Sequence, residues 1–512
     1  MIPHPTRRAT LQGALAATSL LAMPGLARAQ SRPLITHGVQ SGDVAHDGAV
    51  IWSRADREAR MMVEWATRED FANAQRVQPL DLGTPTDGTG KLTLRGLPSD
   101  QDIFYRVTMA DLTDLNAVSE PVTGHFRTAP RTARDIRFVW SGDTAGQGWG
   151  IDRDRGGMRS YATMMRHRPD FLIHSGDTVY ADGPLQPEVT LTDGTIWRNV
   201  TTDAKSKVAE TLDEFRGQFL YNLLDDNVRA FNAEVPILAQ WDDHEVTNNW
   251  YPTESLAADD RYSVKSAALL AARGARAFHE MMPTRQSQEE PNRIYRKVAY
   301  GPLLDVFFID LRTYRGPNTT NREEGGTPFL GDAQIAWLKR ELTNSDATWK
   351  IIASDMPIGM MVRDGEAAME NGANGDGPPL GREQDIAEVL SFIKHAGIAN
   401  TVWLTADVHY TAAHHYSPDR ATFQDFEPFW EFVSGPLHSG TFGPSGYDNT
   451  FGPEVRFAKA PAEAQGQNLP PSMGLQFFGL VDIAADTGVM KVRLMDVGDT
   501  ELWSVELEPI RT

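Results

Sequence analysis

The chain has 512 residues, 41% hydrophobic and 23% charged, with a net charge of −20 at pH 7 and an isoelectric point near 5.1. That length exceeds what one core usually supports and points to two domains, while the acidic balance argues against an extended nucleic-acid surface. With no cysteine in the chain, disulfides, thiolate zinc sites and cysteine nucleophiles are all excluded.

Residues 1–29 read as a twin-arginine signal peptide. Arg7 and Arg8 precede an apolar run over 11–26, and Ala27, Arg28 and Ala29 supply a small-residue cleavage pattern. The run is interrupted by Gly13, Pro24 and Gly25 and is too short for a stable membrane span. The expectation is a periplasmic or secreted protein, exported folded by the twin-arginine machinery, with no membrane span. Over 34–129, short alternating runs such as AVIWSR, MMVEWAT, KLTLRGL and IFYRVTMA predict an N-terminal antiparallel β-sandwich domain. Ala129-Pro130-Arg131-Thr132 reads as a linker.

Over 135–512, apolar strands (RFVWSG, DFLIHSG, PILAQW, LLDVFFID, WKIIAS, TVWLTA, WEFVSG) alternate with helical stretches near 205–231, 263–281, 332–344 and 383–396. That alternation predicts a layered α/β catalytic domain, closed by a C-terminal β-hairpin and a further strand. The glycine-rich acidic stretch 364–381 reads as a long loop, of a length that is usually functional or mobile.

Four strands run into acids, imidazoles, Asn or Tyr at their carboxyl ends, the rim where open α/β sheets bind ligands. The first ends at Asp143 before a glycine-rich loop that lacks both nucleotide-binding glycine patterns. HSGDTVYAD offers Asp177, placed to bridge two cations, and Tyr180 close enough to share one. WDDHEVTNN crowds Asp242, Asp243, His244, Glu245, Asn248 and Asn249 onto one strand end, which is costly to bury unless the groups are paired or metal-bound. Asp243 and Asn248 are the ligand candidates there. His244, with Asp243, suits a catalytic role beside the scissile phosphate. ADVHY places Asp407 and His409 on one side of an extended stretch. Asp355 is a further ligand candidate, and Arg312 either grips a phosphate oxygen or forms a salt bridge. Mostly oxygen donors with one or two imidazoles suit two or three hard or borderline cations. Paired cations clamp the attacking and leaving oxygens of a phosphoryl transfer. The expected activity is hydrolysis of phosphate esters by in-line attack of metal-bound hydroxide. Specialisation for phosphotriesters or lipid head-group diesters is the alternative. The expected partners are small or lipid-linked phosphate esters.

With these motifs in this order, the chain resembles the alkaline phosphatase D (PhoD-like) family of calcineurin-like metallophosphoesterases. The resemblance spans nearly the whole mature chain, from THGVQSGDVAHDGAVIWSRAD through HSGDTVYADGP and WDDHEVTNNW to GPLHSGTFGPSGYDNTFGP. It implies a four-layer α/β/β/α domain behind a β-sandwich, with phosphomonoesterase and phosphodiesterase activity and a site holding iron with one or two calcium ions. It implies that Asp177 bridges metals, that Tyr180 binds iron, and that Asp243, His244, Asn248 or Asn249, Asp407 and His409 complete the site. Family members commonly place a cysteine iron ligand where this chain has Asp143. A carboxylate there hardens the site and shifts its preference toward oxygen-loving ions, which puts the iron–calcium assignment in question.

Overall fold

Alternation along the strand Ile136–Ser141 sets the layering: Phe138 and Trp140 join one core and Val139 another. Its parallel neighbour Phe171–Ser175 repeats the pattern, with Phe171 and Ile173 on the first side and Leu172 on the second. Successive side chains of a strand point to opposite faces, so both faces of this sheet must be covered. The computed structural model describes residues 32–511, and the signal peptide predicted over 1–29 lies outside the described residues.

These strands lie at the centre of a nine-stranded sheet, Phe171–Ser175 pairing in parallel with Ile136–Ser141 and with Ile237–Gln240. A seven-stranded sheet carries the parallel strands Leu304–Phe308, Trp349–Ala353, Thr401–Thr405 and Phe429–Val433. Between the sheets, Phe138, Trp140, Phe171 and Ile173 pack in one core with Val306, Phe308, Ile351, Val402 and Leu404. Outside the first sheet, Val139, Leu172 and Ile237 meet Phe215, Phe219, Phe231, Leu270 and Phe278 from three helices. Outside the second, Phe307, Ile352 and Trp403 meet Ile335, Leu338, Ile386 and Leu390 from two. The result is the expected α/β/β/α stack.

The helices start where their caps allow. Ala267–Met281 is capped by Ser266, and Asp332–Thr343 and Glu383–His395 fall within the stretches the sequence marks. The 205–231 stretch instead divides into Leu212–Asn222 and Asp226–Glu234. Thr211 and Glu214 form a capping box at the first start, and the Asp225 carboxylate accepts from the backbone of Asn227 and Val228 at the second.

Within 34–129, strands Ala59–Ala66, Asp102–Asp111 and Val122–Arg127 form an antiparallel sheet completed by two short strands. Val63, Ile103, Tyr105 and Val107 on that sheet share a core with Val39 and Ile51. Ile35–Gly42 and Gly48–Ala55, which carry those two, pair with each other and run on into the nine-stranded sheet through Gly42 opposite Ile237. The first layer of the sandwich is therefore continuous with the sheet that carries the site. In the expected linker, Ala129 and Pro130 are buried and Arg131 and Thr132 are exposed. Among the described residues no helix is long and apolar enough to cross a membrane.

The 364–381 stretch is tied down. Arg363–Asp364 pairs with Ala368–Met369 as a small hairpin, and buried Asn371 and Asn374 hydrogen-bond backbone carbonyls on both sides. Buried Arg382 donates to the carbonyls of Met369, Glu370, Gly316 and Pro317.

Candidate metal centre

Each acid of interest leaves its strand on a tight turn. Asp143, Asp177, Asp407 and His409 all adopt left-handed backbone conformations, with φ of 65°, 49°, 66° and 58°. Such residues are uncommon outside glycine and cluster at functional sites. Gly176, at φ 101°, lets the turn before Asp177 press against the next strand end: a Cβ there would lie 2.5 Å from the Asp242 Cβ.

The turns bring Asp143, Asp177 and His409 together, with donor atoms all within 4.8 Å of one another, and Asp177, Asp243 and His244 within the same limit. Asp177 belongs to both groups and is the residue placed to bridge. Both Asp143 oxygens are buried without a hydrogen-bond partner, and a Cβ on Gly435 would sit 2.0 Å from one of them. Two unpartnered carboxylate oxygens at zero exposure call for a counter-charge, and their donor chemistry fits a hard cation. Burial, then the charge of Asp242, pushes the Asp143 carboxyl well above its usual range. Burial, then Asp243, does the same to Asp177.

His409 Nε2 lies 3.7 Å from Asp143 Oδ1 and 2.9 Å from the Tyr180 hydroxyl. Its Nδ1–H donates to the Gly440 carbonyl, so the Nε2 lone pair accepts from the Tyr180 hydroxyl or binds a cation. Burial lowers its pKa to about 4, so the ring is neutral, as a metal ligand requires. The Tyr180 pKa is raised well above its ordinary value by burial and by Asp177 and Asp143. Asp143, Asp177, Tyr180 and His409 thus fit one hard cation, with three oxygens and one nitrogen.

On the other side, Asp243, Asn248 and Asp407 line a cavity of about 320 Å³ together with Asp177, His244 and His409. The Asn249 amide donates to Asp364 at 3.1 Å, while the exposed Asn248 side chain makes no hydrogen bond among the described residues. Both asparagines line the cavity and both keep Oδ1 open, since the Asn249 contact uses its Nδ2, so either can supply a ligand oxygen. His244 Nδ1 is 2.7 Å from Asp182 Oδ1, and its ring stacks on Tyr180 at 4.3 Å. Burial opposes protonation of His244, but Asp182 and Asp243 outweigh it and hold the pKa up to about 10. Asp243 falls to about 2 because His244 and Arg312 outweigh its burial. Its carboxylate neighbours thus favour the protonated, donor form of His244.

Asp355 and Arg312 sit behind this wall. Arg312 is fully buried, with Nε 2.6 Å from Asp242 and Nη2 2.6 Å from Glu370, and it lies 3.8 Å from both Asp243 and Asp355 and 3.7 Å from Asp407. Its salt-bridge alternative is the one the geometry matches, and neither residue lines the cavity. Two participants, Asp182 and Glu370, escaped sequence reasoning, and a third, Glu245, was named in its cluster without a role. Asp182 orients His244; it ends the HSGDTVYAD motif, two residues past Tyr180, and that spacing was the available signal. Glu370 lines the cavity and pairs with Arg312. Glu245 accepts from Thr178 and from the Asp242 backbone, stapling two strand ends together.

A four-layer sandwich with acids and imidazoles gathered at this rim belongs to the class of metal-dependent phosphoesterases. Residues 138–494 match the family model of the PhoD-like phosphatases, and residues 19–130 match the model of their N-terminal domain. The chain belongs to the PhoD-like phosphatase family and is a phosphoric ester hydrolase. It is 27% identical over 435 residues to alkaline phosphatase D of Bacillus subtilis, covering 80% of this chain and 70% of the relative. The solved structure of PhoD superposes with a TM-score of 0.69 at 20% identity, covering 94% of this chain and 90% of that one. A purple acid phosphatase from yellow lupin seeds superposes with a TM-score of 0.59 at 12% identity, covering 93% and 74%.

Proposed function

We propose that the protein is an exported alkaline phosphatase and phosphodiesterase that uses two or three metal ions and attacks its ester in line. The observation that carries the reading is the pair of donor groups sharing Asp177, with both Asp143 oxygens left unpartnered, beneath a cavity edged by a His244 held toward its protonated form. Asp143, Asp177, Tyr180 and His409 would hold one ion, and Asp177, Asp243, Asn248 or Asn249, and Asp407 the other. When bound, the ions supply the positive charge that offsets the phosphoryl oxygens and acidifies the attacking water. His244, held by Asp182, donates a proton or hydrogen bond to the leaving oxygen. Family resemblance favours iron with calcium. The carboxylate of Asp143 in place of a thiolate favours harder ions, ferric iron, manganese or calcium, over zinc. The twin-arginine reading of 1–29 places the enzyme in the periplasm or medium.

The test is turnover of chromogenic phosphate mono-, di- and triesters, before and after chelation and metal restoration. Metal-dependent turnover of mono- and diesters supports the reading. Turnover confined to the triester replaces it with the alternative specialisation, and activity indifferent to exhaustive chelation removes it.

A further inference from the structure

Arg363 is the one arginine or lysine among the described residues that line the cavity. Its neighbours in charge are engaged elsewhere: Arg312 by Asp242 and Glu370, Arg382 by backbone carbonyls, and Arg315 by Asn318 and the Glu370 carbonyl. Arg363 is exposed and forms no ion pair among the described residues. Its Nη1 donates to the Glu366 carbonyl at 3.1 Å, within its own hairpin.

The backbone under this free guanidinium is fixed on every side. Arg363 pairs with Met369 and Asp364 with Ala368, and the Glu370 N–H donates to the Val362 carbonyl at 3.0 Å. Met360 and Met361 pair with Tyr447 and Gly446, beside Gly443 and Ser445 on the opposite wall of the cavity. The Asp364 carboxylate accepts from Asn249 at 3.1 Å and from Asn318 at 2.9 Å, so the hairpin is latched to the loop that carries Asn248. A cationic side chain on a fixed stem, lining the same cavity as Asp177, Asp243 and Asp407 without an ion-pair partner among the described residues, is placed for an anion that enters there.

We propose that Arg363 is a substrate-binding residue that takes an ionised phosphoryl oxygen turned away from the metal-binding acids, and so selects mono- and diesters over neutral triesters. A guanidinium matches the fork of two phosphoryl oxygens and gains little from an uncharged ester. The inference rests on the phosphoesterase reading and names the substrate class of that same site.

The test uses the metal-loaded enzyme with R363A, R363Q and R363K. The readouts are metal content, thermal midpoint, KM and kcat for mono-, di- and triesters, and the inhibition constant of inorganic phosphate. With metal content and midpoint unchanged, R363A and R363Q should raise the monoester KM and the phosphate constant about tenfold, while kcat falls less. The ratio of monoester to triester kcat/KM should fall by a similar factor, and R363K should recover part of the loss. Unchanged KM and phosphate constants in R363A and R363Q overturn the proposal. So does an equal loss on all three esters that R363K does not relieve, since that marks a structural role. Phosphate binding that needs Arg363 in a wild-type protein that hydrolyses none of the esters would instead overturn the phosphoesterase reading and leave the anion site standing.

Discussion

Asp242, Asp355 and Glu370 surround the guanidinium of Arg312, whereas Asp143 and Asp177, on neighbouring strand ends and equally buried, form no ion pair with arginine or lysine among the described residues. Asp242 and Asp355 in the first group and Asp143 and Asp177 in the second arise by the same sequence device, an apolar strand that delivers an acid into a turn, while Glu370 joins from the 364–381 hairpin. The difference lies in where the counter-charge comes from. In the first group the chain supplies it, and the acids become part of the framework behind the cavity. In the second no arginine or lysine arrives: the chain supplies the neutral His409, the Tyr180 hydroxyl, the His244 backbone N–H on Asp177 and the nearby His244 ring, and a cation would complete the compensation. Rim acids that no internal cation reaches, Asp143 and Asp177, are thus the clearest ligand candidates, and Asp243 and Asp407, 3.8 and 3.7 Å from Arg312, stand between the two groups.

The widest separation between the two groups should come from Asp177→Ala. Removing the shared carboxylate should strip metal from the protein and lower kcat by about 10³-fold, the few kcal/mol of charge stabilisation that metals provide. Elemental analysis with steady-state kinetics checks both, and full activity with metal retained would break the comparison on its metal side.

On the framework side, Arg312→Met strands Asp242 and Glu370 as buried unpaired charges. It should cost about 3–5 kcal/mol of unfolding free energy by denaturant titration. Asp143→Asn should do the reverse in metal-free protein, raising the denaturant midpoint while abolishing metal uptake. If the two substitutions shift stability in the same direction, the distinction between the groups fails.

His244→Ala should lower kcat about 10²-fold with metal content intact. Asp182→Asn should be milder, about tenfold. It also removes the leading cause that holds His244 up to about 10, so the alkaline limb of the kcat profile should move to lower pH. An unmoved limb would show that His244 does not titrate in that profile.

The smallest effect is the pH dependence of metal-free stability. Asp355 is raised to about 6 and Glu245 to about 7, in each case by burial, as are Asp143, Asp177 and Asp407 more strongly. A carboxyl raised in the folded state binds its proton more tightly there than when unfolded. Its stabilising contribution is complete below the unfolded value near 4 and is lost as pH rises through the folded one. Metal-free protein should therefore weaken between about pH 4 and 7. Metal-loaded protein should weaken less over the same range, because Asp143, Asp177 and Asp407 then hold cations instead of protons. Parallel midpoint-against-pH curves with chelator and with metal would contradict this.

Much of the architecture is legible in the sequence because it is local. The continuous apolar runs RFVWSG and DFLIHSG announce strands covered on both faces, and the helical stretch near 263–281 contains the helix Ala267–Met281. The acids that close the strands are equally local. What the sequence conceals is set by partners far along the chain. Arg312 reaches Asp242 across 70 positions and Glu370 across 58, and Asp182 reaches His244 across 62, so the framework acid and the ligand acid look alike until folded. The break at Asp225 is signalled by Asp225-Asp226-Asn227, a capping pattern that the helical reading of 205–231 passes over. The fixing of 364–381 depends on Asn249 and Asn318 meeting Asp364, which no local pattern reveals.

Elemental analysis of the purified protein beside its Asp143→Ala variant, with a visible absorption spectrum of each, tests the central claim most directly. The account predicts at least two metal ions per wild-type chain and loss of the ion bound by Tyr180 and His409 in the variant. If that ion is ferric iron, a tyrosinate band should vanish with it. Wild-type protein that is fully active without stoichiometric metal, or a variant that keeps its full complement, would contradict the account.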